Sequence, residues 1–301
     1  MGDMKKIKLF YWKKSNNFGD ALSPYVVHRL SGRKIIYREK SIGGFIAVIR
    51  YVIKNIILLH PKMLFKLRYT VKPYEKHLLA IGSILQCSCQ VSQVWGSGFM
   101  NDGDHFRGGK VFAVRGKYSD MMLQRMGYKG CNVYGDPALL MPLLYKPNKI
   151  AKYKIGIIPH WSETEFFKAL YADKYKVIDL RTTDVEQVID DVCSCERIVS
   201  TSLHGIIISH AYSVPALWIS NCNIGTDGTK FFDYFSSVDI HQYAPFRDFD
   251  EIIRGGNYES LFKANSDKTL PAAVTIKTIQ KNLLKVAPFP LVDEFKKYIT
   301  E

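Results

Sequence analysis

The chain has 301 residues, 47% hydrophobic and 23% charged, with 42 Lys and Arg against 28 Asp and Glu and a formal net charge of +14. That length supports a substantial core in one large or two medium domains, and the balance is that of an ordinary soluble protein. No apolar leader follows the polar, basic opening, and Arg50, Lys54 and Asn55 interrupt the longest apolar stretch, 42–59, so the reading argues against secretion and a membrane span and expects a cytoplasmic protein.

In chain order, residues 7–12 read as a first strand. A polar turn over 15–20 follows, then a helix over 23–30 with Pro24 in its first turn. Basic and apolar residues interleave across 42–72, which predicts an amphipathic insertion. Strands are expected over 78–82, 94–98 and 111–115, each running into small residues or glycine. A helix over 118–126 ends at Gly127, a C-terminal cap residue. Gly135-Asp136-Pro137-Ala138 reads as a turn, and the Lys- and Pro-rich stretch 145–152 as a linker. A second series follows: strand 154–159, helix 162–171, strand 176–180, helix 185–193, strand 197–199, helix 206–212 and strand 214–219. A Gly/Asn/Thr loop covers 223–229, and helices are expected over 275–284 and 292–299.

Alternating strands and helices predict an α/β protein with parallel sheets. Two such series predict two Rossmann-like domains facing across a cleft, 1–148 and 149–301. Ligands of open α/β sheets sit beyond the carboxyl ends of the strands, and the small-residue motifs all fall there.

The turn Ser200-Thr201-Ser202-Leu203-His204-Gly205 is the sharpest of them. The first N–H groups of a helix and its dipole favour a phosphate or carboxylate, here beside Ser202 and Leu203. His204 adds a group able to take or give a proton near neutral pH. Arg115 ends an apolar strand, where a guanidinium suits bidentate binding of an anion. Lys230 follows a loop of the kind that closes over sites, and Asp233 stands three residues on. Asn17, Gly19 and Asp20 follow the first strand; Asp20 suits a sugar hydroxyl, or an N-cap. Ser83 and Trp95 lie at further strand ends. His160 and Trp161 end another, where an indole stacks on a sugar ring.

The positive charge points to an anionic partner. Nucleic acid is excluded, since the basic residues are dispersed and no nucleic-acid module is present. An anionic membrane surface remains open through the 42–72 segment, which equally suits a helix packed on its own domain. Of the six cysteines, Cys87/Cys89 and Cys193/Cys195 form C-x-C pairs without the spacing of a metal site, so no metal is expected.

Taken in order, Asn17-Phe18-Gly19-Asp20, Ile81-Gly82-Ser83-Ile84-Leu85, Val94-Trp95-Gly96-Ser97-Gly98, Val114-Arg115-Gly116 with Ser119, Gly135-Asp136-Pro137-Ala138, Ile157-Ile158-Pro159-His160, Ser202-Leu203-His204-Gly205 and Lys230-Phe231 with Asp233-Tyr234 resemble the polysaccharide pyruvyl transferase family. The resemblance implies a fold similar to the two-domain GT-B glycosyltransferases, in which the last helix, 292–299 here, packs back on the first domain. It implies transfer of the carbon skeleton of phosphoenolpyruvate, as co-substrate and without a cofactor, onto a sugar, often galactose, of a lipid-linked oligosaccharide. The product is a cyclic pyruvate ketal of capsular, exopolysaccharide or cell-wall glycans. Several relatives have Arg-Leu-His-Gly where this chain has Ser202-Leu203-His204-Gly205, so Arg115 and Lys230 are left to neutralise the donor.

The expected roles follow. Arg115, Ser202, Leu203, His204 and Lys230 hold the donor, and His204 protonates its vinyl carbon. Asn17, Gly19, Asp20, Ser83, Trp95, Asp136 and Trp161 face the acceptor, with Asp20, His160 or Asp136 as its base. The expected location is cytoplasmic, with possible contact on the inner face of the plasma membrane. Two other readings stay open at this point: a sugar-nucleotide glycosyltransferase of the same architecture, and a non-catalytic membrane-associated scaffold in glycan assembly. Stabilisation by phosphoenolpyruvate rather than by UDP- or GDP-sugars separates the first, and liposome binding without turnover would favour the second.

Overall fold

The computed structural model describes residues 6–13, 16–39, 53, 75–147, 151–221 and 224–300. Apart from residue 53, the insertion expected over 42–72 lies outside the described residues. The architecture is mixed α/β, built on two all-parallel sheets.

The first sheet holds β1 (Ile7–Phe10), β2 (Ile35–Tyr37), β3 (His77–Leu79), β4 (Ser92–Trp95) and β5 (Lys110–Ala113) in the order β2-β1-β3-β4-β5. The second holds β6 (Gly156–Ile158), β7 (Lys176–Val177), β8 (Ile198–Ser200) and β9 (Ala216–Trp218) in the order β7-β6-β8-β9. The order 2-1-3-4-5, repeated through its first four strands in the second sheet, is that of a doubly wound α/β fold, with its ligand crevice where the order reverses. β6 and β8 are short and wholly buried, as parallel strands covered on both faces are.

The apolar core does not divide cleanly between the sheets. Leu9, Leu22, Leu78 and Trp95 belong to the same buried cluster as Ile157, Val199, Ile206 and Leu217. A smaller cluster, including Phe10, Val94, Phe99 and Leu123, lies within the first half alone. The C-terminal segment crosses back: Val292 N–H donates to the Leu30 carbonyl (2.8 Å), and Gln280 Nε2 to the Leu139 carbonyl (2.7 Å).

Several elements differ from the sequence reading. The first helix spans Phe18–Ser31, not 23–30, because the Asn17 side chain caps it and accepts from Gly19 N–H at 2.8 Å. Pro24 therefore lies inside that helix. Strands expected to reach Gly82 and Gly98 stop at Leu79 and Trp95, since Gly82 (φ 117°) and Gly96 (φ 89°) take a conformation no strand continues through. β2 and the short helices Phe249–Arg254, Tyr258–Ala264 and Ser266–Thr269 were not legible as periodic patterns. The helix after β8 starts at Leu203, three residues earlier than read, which puts His204 and Gly205 in its first turn.

Candidate active site

The carboxyl ends of β1, β3, β6 and β8 converge on one cleft of about 480 Å³, a size usual for small-molecule sites. Its walls bring together Asn17, Gly19, Asp20 and Ser83 from the first half with His160, Trp161, Ser202, Leu203, His204 and Lys230 from the second.

The two halves meet at two helix N-termini. The His204 ring, on the first turn of Leu203–Ala211, packs on Gly19, on the first turn of Phe18–Ser31; a Cβ on Gly19 would overlap that ring. The first of these helix ends is capped by Asn17. The second has Ser202 at the cap position, and its side chain makes no capping bond. The first N–H groups of a helix have no intrahelical acceptor, so this end offers donors and a positive dipole to the cleft. The turn beneath it is rigid: Ser200 Oγ donates to the Ile158 carbonyl (2.8 Å) and accepts from Ser202 N–H (2.9 Å).

His204 is half-buried, and its Nε2 is withdrawn from solvent without a hydrogen-bond partner among the described residues. Burial, together with the positive charges of Arg115 and Lys230, holds the imidazole down to a pKa of about 3. In the unliganded protein it is neutral at pH 7. A bound anion reverses that local balance and raises its proton affinity.

Lys230, on the helix Thr229–Ser237, is 6% exposed and lines the cleft. Among the described residues no carboxylate lies within ion-pair distance of it. Burial first, and then the Arg115 charge, lower its pKa to about 8, with Glu163 acting in the opposite sense. It stays largely charged at neutral pH and lacks a direct counter-ion.

His160 lies across from it. Its Nδ1 shares a 2.7 Å hydrogen bond with Ser162 Oγ, and its N–H donates to Thr201 Oγ1 (2.7 Å). Thr201 Oγ1 in turn donates to Glu163 Oε2 at 2.6 Å. Burial and the Lys230 charge lower the His160 pKa to about 4. Sequence reasoning missed Glu163, a buried carboxylate behind the cleft wall; its offset from the strand-end motifs carries no local signal of its role.

Three expected site residues do not reach the cleft surface. Arg115 is fully buried, because its guanidinium is consumed by protein partners. Nε donates to Asp233 Oδ2 (2.9 Å), Nη1 to Ser83 Oγ (2.7 Å) and Nη2 to the Phe99 carbonyl (2.6 Å). Asp233 also accepts from Ser119 N–H and Oγ at 2.8 and 2.7 Å. Arg115 thus stands one side chain behind the wall, tying the first half to the helix that carries Lys230. Trp95 is wholly buried; its indole N–H donates to the Leu283 carbonyl (2.9 Å) and its ring meets Phe289 edge-on. It anchors the returning C-terminal segment and has no face for a sugar. Asp136 is also fully buried, accepting from Ala138 N–H at 2.9 Å as an N-cap. Burial pushes its pKa up to about 7.

The cleft also recruits residues the sequence reading left out. Trp12, 46% exposed, is one; it ends the segment read as the first strand, so the strand-end rule already pointed to it. Among the described residues, no group of three or more His, Cys, Asp or Glu is arranged to hold a metal ion. No helix of the described residues is long and apolar enough to cross a membrane.

The strand ends of this doubly wound α/β fold gather an uncapped helix N-terminus, a buried lysine and two histidines in one cleft. The sequence profile of the family described as polysaccharide pyruvyl transferase matches residues 17–223, and the chain belongs to that family. The match spans every cleft motif from Asn17 to His204 and stops short of Lys230. A protein of Acanthamoeba polyphaga mimivirus named uncharacterized protein L143 is 28% identical over 243 residues, 75% of this chain and 84% of that one. No solved structure matches. The family's reaction makes the chain a transferase of polysaccharide biosynthesis.

Proposed function

We propose that the chain transfers the carbon skeleton of phosphoenolpyruvate to a sugar, galactose being the first candidate, of a lipid-linked glycan intermediate on the cytoplasmic side of a membrane. The product is a cyclic ketal destined for a capsular or extracellular polysaccharide. In this reading the two sheets are the halves of a GT-B-like pair, donor on the second and acceptor on the first. The observation that carries it is the convergence of Lys230, His204 and an uncapped helix N-terminus on one cleft. A donor bearing a phosphate and a carboxylate fits that unsatisfied positive field.

Lys230 and the first-turn N–H groups at Leu203 and His204 hold the donor's anionic groups, the Ser202 N–H being taken by Ser200 Oγ. Their negative charge raises the His204 pKa, and the imidazolium donates its proton to the vinyl CH2, which becomes a methyl group. C2 becomes oxocarbenium-like, and a sugar hydroxyl adds to it, losing its proton to Asp20 or His160. The C2–O bond to phosphate then breaks as the base passes its proton to the leaving phosphate, and a second hydroxyl closes the ketal, its proton going to the freed base and from there back to His204. No organic cofactor takes part.

The test is phosphate release from phosphoenolpyruvate with a galactoside, with mass spectrometry of the acceptor. A gain of about 70 Da marks one condensed pyruvate. His204→Gln is expected to abolish turnover. Near-normal phosphate release by that variant would remove His204 from the mechanism, and turnover with a nucleotide sugar in place of phosphoenolpyruvate would sink the whole reading.

A further inference from the structure

Two tryptophans stand half-exposed in the walls of the same cleft, one from each half of the molecule. Trp12 follows β1 and is 46% exposed; Trp161 follows β6 and is 52% exposed. The other two of the four tryptophans, Trp95 and Trp218, are buried at 0% and 6%. An indole left half in water costs hydrophobic stabilisation, and these two share one cavity rather than being scattered over the surface.

Each ring is braced from behind. Phe10 meets Trp12 edge-on at 5.3 Å, and His160 lies against Trp161 at 5.5 Å with the planes tilted by 45°. The loop after β1, which follows Trp12, is tied to the second half through the loop after β7, since Phe18 N–H donates to the Leu180 carbonyl (2.8 Å) and Asn16 Nδ2 to the Arg181 carbonyl (3.2 Å). The same cleft is lined on the first-half side by Asn17, Asp20 and Ser83, polar and uncharged or acidic. Indole faces above hydroxyl-binding side chains suit one ligand chemistry: a pyranose ring, with its C–H face on the aromatic ring and its hydroxyls on Asn and Asp.

We infer that Trp12 and Trp161 form a two-sided aromatic clamp for the acceptor glycan, with Trp12 the member contributed by the first half. This deepens the reading above and rests on it for the identity of the acceptor step. The clamp itself is a sugar-binding subsite, separate from the anion-holding groups of the second half.

The experiment reads binding without turnover. Acrylamide quenching of tryptophan fluorescence is measured with methyl glycosides of galactose, glucose, mannose and N-acetylglucosamine, and separately with phosphoenolpyruvate alone. At least one glycoside is expected to protect both Trp12 and Trp161, resolved by the Trp12→Phe and Trp161→Phe variants. If none protects either residue, or if phosphoenolpyruvate alone protects them equally well, the clamp is overturned, whether or not pyruvyl transfer occurs. Where turnover is measurable, Trp12→Ala and Trp161→Ala are each expected to raise the acceptor KM roughly five- to tenfold while the donor KM holds. The Phe variants are expected to recover most of that loss. A fall in kcat with both KM values unchanged would assign the tryptophans to folding instead.

Discussion

The two walls of the cleft are built alike and finished differently. Each is a parallel strand, a tight turn and a helix whose N-terminus faces the ligand space. On the first-half wall the polar groups are already answered: Asn17 caps its helix, and the Arg115 guanidinium behind Ser83 is neutralised by Asp233. On the second-half wall they are left open, since Ser202 makes no side-chain cap, Lys230 has no direct counter-ion among the described residues, and His204 Nε2 has no partner there. Two positive side chains so close in space therefore do different work. Arg115 binds the protein to itself, whereas Lys230 is left without a direct counter-ion. Unsatisfied buried charge is destabilising unless something fills the gap, which under the proposed function would be the donor's anionic groups.

Breaking the satisfied side should have the largest effect. Arg115→Ala strands Asp233 in the interior and is expected to cost about 3–5 kcal/mol, whereas Arg115→Met with Asp233→Leu recovers much of it. Denaturant unfolding checks this; a loss under about 1 kcal/mol for the single variant would mean the pair is not a structural tie. Next is the seam between the walls. Gly19→Ala places a methyl group where the His204 ring sits, and the displaced imidazole is expected to lower kcat about a hundredfold. A fully active Gly19→Ala enzyme with its fold intact would show that the ring position is not critical.

Lys230→Met tests the unsatisfied side. It removes a buried charge at little change in volume, so stability should hold or rise while the donor KM climbs about tenfold or more. Loss of stability with an unchanged donor KM would invert the contrast between the two cations. The smallest expected effect is on the pH dependence of folding. His77, His160, His204 and His210 have folded-state pKa values depressed by burial to about 4, 4, 3 and 4. Their contribution is present above the unfolded value near 6.5 and is lost as pH falls toward 4, because the unfolded chain takes up protons first. Asp136, raised to about 7, acts in the opposite direction over part of that window, gaining stability as pH falls. The four rings outweigh Asp136 and Glu163, whose pKa burial also raises, and should lower Tm by a few degrees between pH 7 and 5; a flat or rising Tm would contradict the burial of these rings as neutral species.

Much of this was legible in the chain. Periodicity delivered the helix Val185–Cys193 at its observed bounds; strand-end position picked out Asn17, Gly19, Asp20, Ser83, His160, Trp161, Ser202, Leu203 and His204, and the loop before it picked out Lys230, all of which line the cleft. The misses share one cause. Arg115 and Trp95 also end apolar strands, and nothing local separates a side chain that turns into a cleft from one that meets a partner far along the chain. Asp233 is 118 residues from Arg115, and Leu283 is 188 from Trp95.

The amino-acid sequence by itself determined the α/β class, the alternation of its elements and the family, because strand and helix periods and turn residues act over a few positions. Tertiary structure alone decided which positive charge is neutralised and which faces the ligand, which tryptophans are buried and which flank the cleft. Those outcomes depend on partners brought together from distant segments, and burial without a partner is a property of the assembled interior, not of any local stretch of chain.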